Sequence, residues 1–501
     1  MIAAKNYSIA LKQIKKAIHT DIFELRLDYF TFLDLEKIKL LRNSCSKPVI
    51  FTLRKKEQGG HYQGNEQQRL QDLISLCTLN PDFFDLEYDT PLEFVQSLQE
   101  SYPEIKWIRS YHNFNGTPLN LHGILASLQN PIFDSYKIAT FAHSIIDSLR
   151  MLCFIQENAG SINLSGLCMG EKGTCTRILG KIIGSYMVYA SIDEQSTAAP
   201  GQICFDELKN IYYSNPFITK ECSIYALLGD PINLSVGHII HNKTMQHLKQ
   251  DAIYLKLDIT QQELSEAWFY FKKLPFKGFS ITMPHKEAIL PILDKTELSA
   301  FNIQAVNTVI KKKDKFIGCN TDGLGAIKSL TKRINIKNQK IIILGAGGAA
   351  RAIAFQAIQD KADVIIVNRT LSKAKLLADQ LGCEYSSFIN HDFNNSTSYK
   401  VVINTLPSFI YNTEPLILSW VQQILKPDII AMDIVYQPFL TPFVQIAQKA
   451  SSECILGFEM YIHQALAQID LWFSPTVAER VELQNLMEQY FTALLNKEEM
   501  I

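Results

Sequence analysis

Residues 130–141 read NPIFDSYKIATF, and Tyr136–Thr140 within them has the aromatic and β-branched content of a short strand, with Lys137 inside it. Lysine is among the residues least often found on the inward side of a strand, so its position asks for a chemical reason. Working outward, residues 1 to about 210 alternate short β-rich runs with amphipathic helical stretches: MIAA, IFELRL, PVIFTLR, FFDLEY, KWIRSY, YKIAT, INLSGL and YMVYAS. About eight βα units is the count of an α/β protein of the (β/α)8 TIM-barrel type, where catalytic groups project from the C-terminal ends of the strands. Unusual polar residues gather at those ends: Glu24, Arg26, Asp28, Arg54, Asp85, Glu87, His112 and Lys137. Any one of them alone reads equally well as a solvated or snorkelling strand-end side chain. The same habit on strand after strand weakens that reading. A lysine set among apolar barrel residues and near arginines is expected to lose its proton more readily. The neutral amine can then attack a carbonyl and form a Schiff base, with His112 as general acid/base.

Composition narrows the function. A chain of 501 residues exceeds one hydrophobic core, so two or three domains are expected. The 47% hydrophobic and 20% charged fractions with a net charge of -1 are those of an ordinary soluble protein. They offer no basic surplus for nucleic acid, no membrane-spanning run and no sign of an obligate protein partner, which leaves small-molecule chemistry. Ten cysteines without CxxC or metal spacing suggest reduced thiols in the cytoplasm, with neither disulfides nor a structural metal. The N-terminal MIAAKNYSIALKQIKKAI lacks an apolar signal core.

The second half has a different texture. A polar stretch, YYSNPFITKE, reads as a linker over 212–221. Further on, IIILGAGGAARA is a strand entering a glycine turn and a helix, where Gly345, Gly347 and Gly348, with Ala346 and Ala349 between and after them, let a pyrophosphate approach the helix N-terminus. The next strand, DVIIVNRT, ends in Asn368, Arg369 and Thr370, where an NAD enzyme would place an acidic residue. Arg369, with Lys373 beyond it, instead favours a 2'-phosphate and hence NADP(H). Upstream, Pro284 is expected at the first helical position, which puts Lys286 in the first turn. Lys286 reads as a tolerated surface lysine, Asp322 as a helix N-cap, or the two together as a pair facing a cofactor.

These motifs carry two resemblances. Residues 1 to about 210 resemble type I 3-dehydroquinate dehydratase, with KIA around Lys137 and SYHNF around His112. The resemblance implies Lys137 as Schiff-base lysine and His112 as general acid/base, and substrate contacts from Glu24, Arg26, Arg54, Arg177 and Gln202. Gln58 stands where that family usually has glutamate, and Ala198 where it has serine. Residues 222 to about 495 are similar to shikimate dehydrogenase, which implies Lys286 and Asp322 as catalytic groups and Ser235, Thr282, Asn307 and Gln464 as substrate contacts. Tyr436 fits its pattern as well. Departures here are Gly237 in place of a serine that holds the substrate carboxylate, His238, Gln304, and the pair Leu406 and Pro407. His238 is expected either to take over the missing contact or to point to solvent.

The expected organisation is a barrel over 1–211, a substrate domain over 222–325 completed by helices in 456–501, and a Rossmann-type NADP domain over 326–455. The joint expectation is a fused shikimate-pathway enzyme converting 3-dehydroquinate to 3-dehydroshikimate and then, with NADPH, to shikimate. Two alternatives stay open: an aldolase-type Schiff-base barrel, and a second half that is a quinate dehydrogenase or a nucleotide sensor without catalysis.

Overall fold

The computed structural model describes residues 1–17, 19–192, 200–389 and 399–498; Ala198 lies outside them. Six strands form a continuous parallel ladder: β1 (Phe23–Arg26), β2 (Val49–Thr52), β3 (Phe83–Glu87), β4 (Lys106–Asn113), β5 (Ser135–Phe141) and β6 (Leu164–Met169). All but β4 are buried along nearly their whole length, because a barrel strand packs side chains inward and carries helices outside. The two outermost runs expected as strands supply single bonds rather than ladders. Ile2 bridges Leu25, the Met1 nitrogen donates to Ala190 O at 3.0 Å, and Tyr186 N donates to Leu164 O at 2.8 Å. Those bonds carry the ring from β6 back to β1.

A second sheet runs in the order β10-β12-β11-β9-β7-β8, built from β7 (Ser223–Gly229), β8 (Ala252–Asp258), β9 (Phe276–Ile281), β10 (Lys295–Thr296), β11 (Thr308–Lys312) and β12 (Lys315–Cys319). The third is wholly parallel, in the order β15-β14-β13-β16-β17-β18, with β13 (Lys340–Leu344), β14 (Asp363–Val367), β15 (Glu384–Ser386), β16 (Val401–Asn404), β17 (Ile430–Asp433) and β18 (Glu453–Ile455). This is the doubly wound order that reverses direction between its first and fourth strands, where such sheets bind dinucleotides. The period of two is visible in β13. Ile341 and Ile343 join one hydrophobic cluster, Ile342 and Leu344 the other, so both sheet faces are covered.

Residues 1–224 with 249–276 form one compact unit, and 225–248 with 277–501 another. The polar stretch expected as a linker is well anchored. Asn215 is buried, and its Nδ2 donates to Gln250 O at 2.8 Å, which satisfies an amide that would otherwise stay in solvent. Pro284 is also displaced by one position. It caps the short helix His285–Ala288 rather than opening it, and Lys286 still falls in the first turn.

Candidate active sites

Seven of the barrel residues singled out in the sequence, Glu24, Arg26, Arg54, His112, Lys137, Arg177 and Gln202, line one pocket, whereas Asp28, Asp85 and Glu87 are not part of its lining. Parallel register explains part of this convergence, since β4 and β5 pair Ser110 with Lys137 and His112 with Ala139. The setting of Lys137 differs from expectation. Its Nζ lies 3.0 Å from Asp85 Oδ2 and 3.5 Å from Glu24 Oε1, and 3.9 Å from the centroid of the Tyr189 ring. The amine is therefore held by two carboxylates and an aromatic face, not by apolar residues and arginines. Thr52 Oγ1 donates to Glu24 Oε1 at 2.9 Å and keeps that carboxylate in place.

The arginines divide into two kinds. Arg26 is bidentate on Asp28, at 2.9 and 2.8 Å. Arg54 lies 2.8 Å from Asp85 and 3.7 Å from Glu87, and Glu87 in turn meets the buried Arg69 at 2.8 Å. Arg177 has no carboxylate partner among the described residues. One of its nitrogens donates to Tyr189 O at 3.1 Å, and burial lowers its pKa to about 10, which still leaves it charged at neutral pH. It is thus the arginine with charge to spare for an anion. Burial raises the Asp85 carboxyl, but Arg54 and Lys137 outweigh it and hold the group well below the usual range.

His112 is neutral. Burial, then Arg54 and Lys137, push its pKa well below the ordinary value, against the opposing pull of Asp85. Gln58 Oε1 accepts from the His112 backbone N–H at 3.3 Å, so the glutamine contacts the main chain of the strand. Three buried atoms in the pocket, Glu24 Oε2, His112 Nδ1 and Arg177 Nε, lack hydrogen-bond partners among the described residues. Buried polar atoms left this way are costly unless a ligand completes them.

In the second unit, Lys286 Nζ lies 2.5 Å from Asp322 Oδ2. Asp322 is the first residue of helix Asp322–Thr331, with Thr321 at the N-cap, so the capping reading of Asp322 falls away. Asn307 Nδ2 donates to Asp322 Oδ1 at 2.8 Å and approaches Gln464 Oε1 at 3.4 Å. Lys286, Asp322, Asn307 and Gln464 thus form one polar cluster. Thr282 sits on the loop after β9, where its N–H bonds Leu228 O at 2.9 Å. Ser235 accepts from Gly237 N at 3.2 Å and lies 3.5 Å from Tyr436 Oη. His238 is buried and does not point to solvent.

The glycine turn fits a dinucleotide. Gly345 has φ 115°, a left-handed value that favours glycine, and a Cβ on Gly347 would meet nothing within 4 Å. Gly348 starts helix Gly348–Gln359 and packs on Lys286, whose Cβ and Cδ would lie 3.3 Å from an added Cβ. The glycine turn and Lys286 are therefore neighbours. Ala346 and Ala349 complete the turn. Asn368 Nδ2 donates to Thr370 O, Thr370 caps helix Leu371–Leu381, and Lys373 lies in its first turn. Arg369 is 62% exposed and paired to Glu414 at 2.5 Å. The sequence pattern did not single out Tyr189, Arg69, Tyr461 or Glu414, and gave Asp85 and Glu87 no partners. All are ordinary residue types whose partners lie far away in the chain.

Comparison with known proteins agrees with both halves. The type I 3-dehydroquinase family model matches residues 1–216. The shikimate dehydrogenase substrate binding domain matches 227–309, and the shikimate/quinate 5-dehydrogenase model 327–419. The Chlamydia pneumoniae protein named shikimate biosynthesis protein AroDE is 32% identical over 479 residues, covering 94% of each chain. A chloroplastic bifunctional 3-dehydroquinate dehydratase/shikimate dehydrogenase of Arabidopsis thaliana is 30% identical over 94% of this chain and 80% of its own. A Syntrophobacter fumaroxidans protein named shikimate dehydrogenase (NADP(+)) is 32% identical over 56% of this chain and 96% of its own. With a buried lysine and histidine in one pocket of the first unit, a lysine–aspartate pair beside a glycine turn in the second, and relatives that span both, the chain belongs to the family of bifunctional 3-dehydroquinate dehydratase/shikimate dehydrogenases of the shikimate pathway.

Proposed function

We propose that 3-dehydroquinate loses water through an imine on Lys137 and that the product, 3-dehydroshikimate, is reduced to shikimate with NADPH at Lys286 and Asp322. The observation that supports the first step most is Lys137 Nζ buried in one pocket with a neutral His112 and with Arg177, which lacks a carboxylate partner among the described residues. Arg177 takes the substrate carboxylate. His112, neutral and in the same pocket, takes the proton that frees the Lys137 amine for attack. Nitrogen then bonds the ketone carbon, and the carbonyl oxygen departs as water with one proton from the amine and the proton that His112 returns, leaving a protonated imine and a neutral His112. The imine acidifies the neighbouring C–H, His112 removes that proton, and the β-hydroxyl leaves as a second water with a proton returned by His112. Hydrolysis of the imine consumes one water and restores Lys137, so the balance is one water lost.

At the second site Lys286 donates a hydrogen bond to the ketone oxygen and, with Asp322, delivers the proton that makes the new hydroxyl. Asn307 fixes the Asp322 carboxylate, while Ser235, Thr282 and Gln464 hold the ring substituents. NADPH supplies the hydride when bound. Gly345, Gly347 and Gly348 would receive its pyrophosphate, and Arg369 with Lys373 its 2'-phosphate.

The test is to give the full chain 3-dehydroquinate and NADPH together. Enoate absorbance should rise and NADPH absorbance then fall, and borohydride added with substrate should leave an adduct on Lys137. Trapping on another lysine, or full dehydratase activity in Lys137→Ala, would overturn the imine route. An unchanged NADPH signal after enoate formation would overturn the second step.

A further inference from the structure

Gly237 opens helix Gly237–His247 at a crowded polar corner. A Cβ built on it would lie 3.3 Å from Ser235 Oγ, 3.3 Å from Tyr461 Oη and 3.9 Å from His241 Cδ2. Tyr436 Oη is 3.5 Å from Ser235 Oγ, and the Tyr436 and Tyr461 rings are 5.0 Å apart. The hydroxyls of Ser235, Tyr436 and Tyr461 therefore converge around a residue that has no side chain. Tyr461 also shares a face of helix Gly457–Phe473 with Gln464, since residues three apart are neighbours on a helix surface. Gln464 belongs to the polar cluster of Asn307 and Asp322. Tyr461 thus stands one turn from the reacting groups and beside Ser235.

We propose that Tyr461 is a specificity-determining residue of the dehydrogenase, its hydroxyl acting with Ser235 to hold the substrate carboxylate in space that a side chain at 237 would occupy. The inference rests on the reading that Ser235 binds that carboxylate. Its steric half is independent of it. A carbon 3.3 Å from a hydroxyl oxygen is tighter than ordinary packing, so a side chain at 237 requires the Tyr461 hydroxyl to give by a few tenths of an ångström. Gly237 and Tyr461 are a matched pair: the glycine gives up one hydroxyl and admits another. A carboxylate left with Ser235 alone would lack a donor in a partly closed cleft, and an unmade bond of that kind is costly.

The experiment uses the full chain and measures shikimate oxidation with NADP, reading KM and kcat separately. Wild-type turnover establishes the reaction itself. Against that baseline, Tyr461→Phe should raise the KM for shikimate about tenfold, the loss of one hydrogen bond to a charged group at the low end of its range, with kcat and the KM for NADP little changed. Gly237→Ser alone should also raise the shikimate KM, because its side chain displaces the tyrosine. The double variant should return KM to within about twofold of wild type, a non-additive rescue that a merely structural role would not produce. Turnover with an unmoved KM in Tyr461→Phe overturns the pairing alone. Additive damage in the double variant, or a larger KM effect from His238→Ala than from Tyr461→Phe, does the same. Absence of wild-type turnover overturns the reading of the reaction and the pairing with it.

Discussion

In the proposed dehydration His112 acts through its protonation state. Burial and two nearby cationic side chains, Arg54 and Lys137, keep the ring neutral, so it is ready to accept a proton at any pH above its lowered pKa. The value of kcat/KM for dehydration should therefore stay level as pH falls through about 6.5, the ordinary histidine value, and decline only further down. A decline centred on the ordinary value would show the ring to be solvated. Arg369 is a different case, because it is exposed and already paired with Glu414. An exposed pair contributes about 0–1 kcal/mol, so Glu414 yields readily to a phosphate of higher charge. Arg369→Ala should lower kcat/KM for NADPH about tenfold and leave NADH use unchanged, as one charge-assisted contact is lost. Equal losses for both cofactors would make Arg369 structural.

Helix Leu298–Ile303 shows how a local misfit is tolerated near a site. Gln304 ends it at φ 57° and ψ 32°, a left-handed conformation in which glycine has no steric cost. A non-glycine residue there costs about 1 kcal/mol, offset in part by the Gln304 Nε2 bond to Phe301 O at 2.6 Å. Gln304→Gly should raise the thermal midpoint by a few degrees, reflecting a gain of up to about 1 kcal/mol, with the shikimate KM unchanged. A lowered midpoint would mean that the side-chain bond outweighs the backbone strain. The helix end matters because Val306, two residues beyond Gln304, donates its N–H to Lys286 O at 2.8 Å and so joins this turn to the segment that carries Lys286.

Acid should destabilise the second compact unit as a body. Burial lowers His241 to about 3 and, with Lys332 and Lys328 adding to it, His463 to about 4. Below about pH 6.5 the unfolded chain takes up protons that these folded histidines refuse, so stability falls with pH down to each folded value. Asp433 opposes this. Burial raises it to about 6 from 3.8, so between those values the folded state holds the extra proton and stability rises as pH falls. The two histidine displacements together exceed that of the one carboxyl. The urea midpoint of this unit should therefore drop from about pH 7 to about pH 5, and replacing both histidines by glutamine should abolish that drop and leave the smaller, opposite trend of Asp433. A midpoint rising over that range would put Asp433 in control.

Lys137 and His112 were legible because strand periodicity and register are local, and an odd polar residue at a strand end stands out against apolar neighbours. The glycine turn was legible for a similar reason: Gly345 requires its φ, and the turn follows its strand directly along the chain. Other features depended on separation in sequence. Lys137 meets Asp85 and Glu24 from 52 and 113 residues away, and Gln464 reaches Asn307 across 157. Side chains so far apart meet only when the barrel and the sheets close, and no local pattern encodes which carboxylate will face which cation. Local pattern was therefore enough to say which chemistry each half carries. Folding alone decided that, among the described residues, Arg177 and not Arg26 or Arg54 keeps a charge without a carboxylate partner, and that a tyrosine hydroxyl lies beside Gly237, because both outcomes are set by which neighbours packing brings within hydrogen-bond reach.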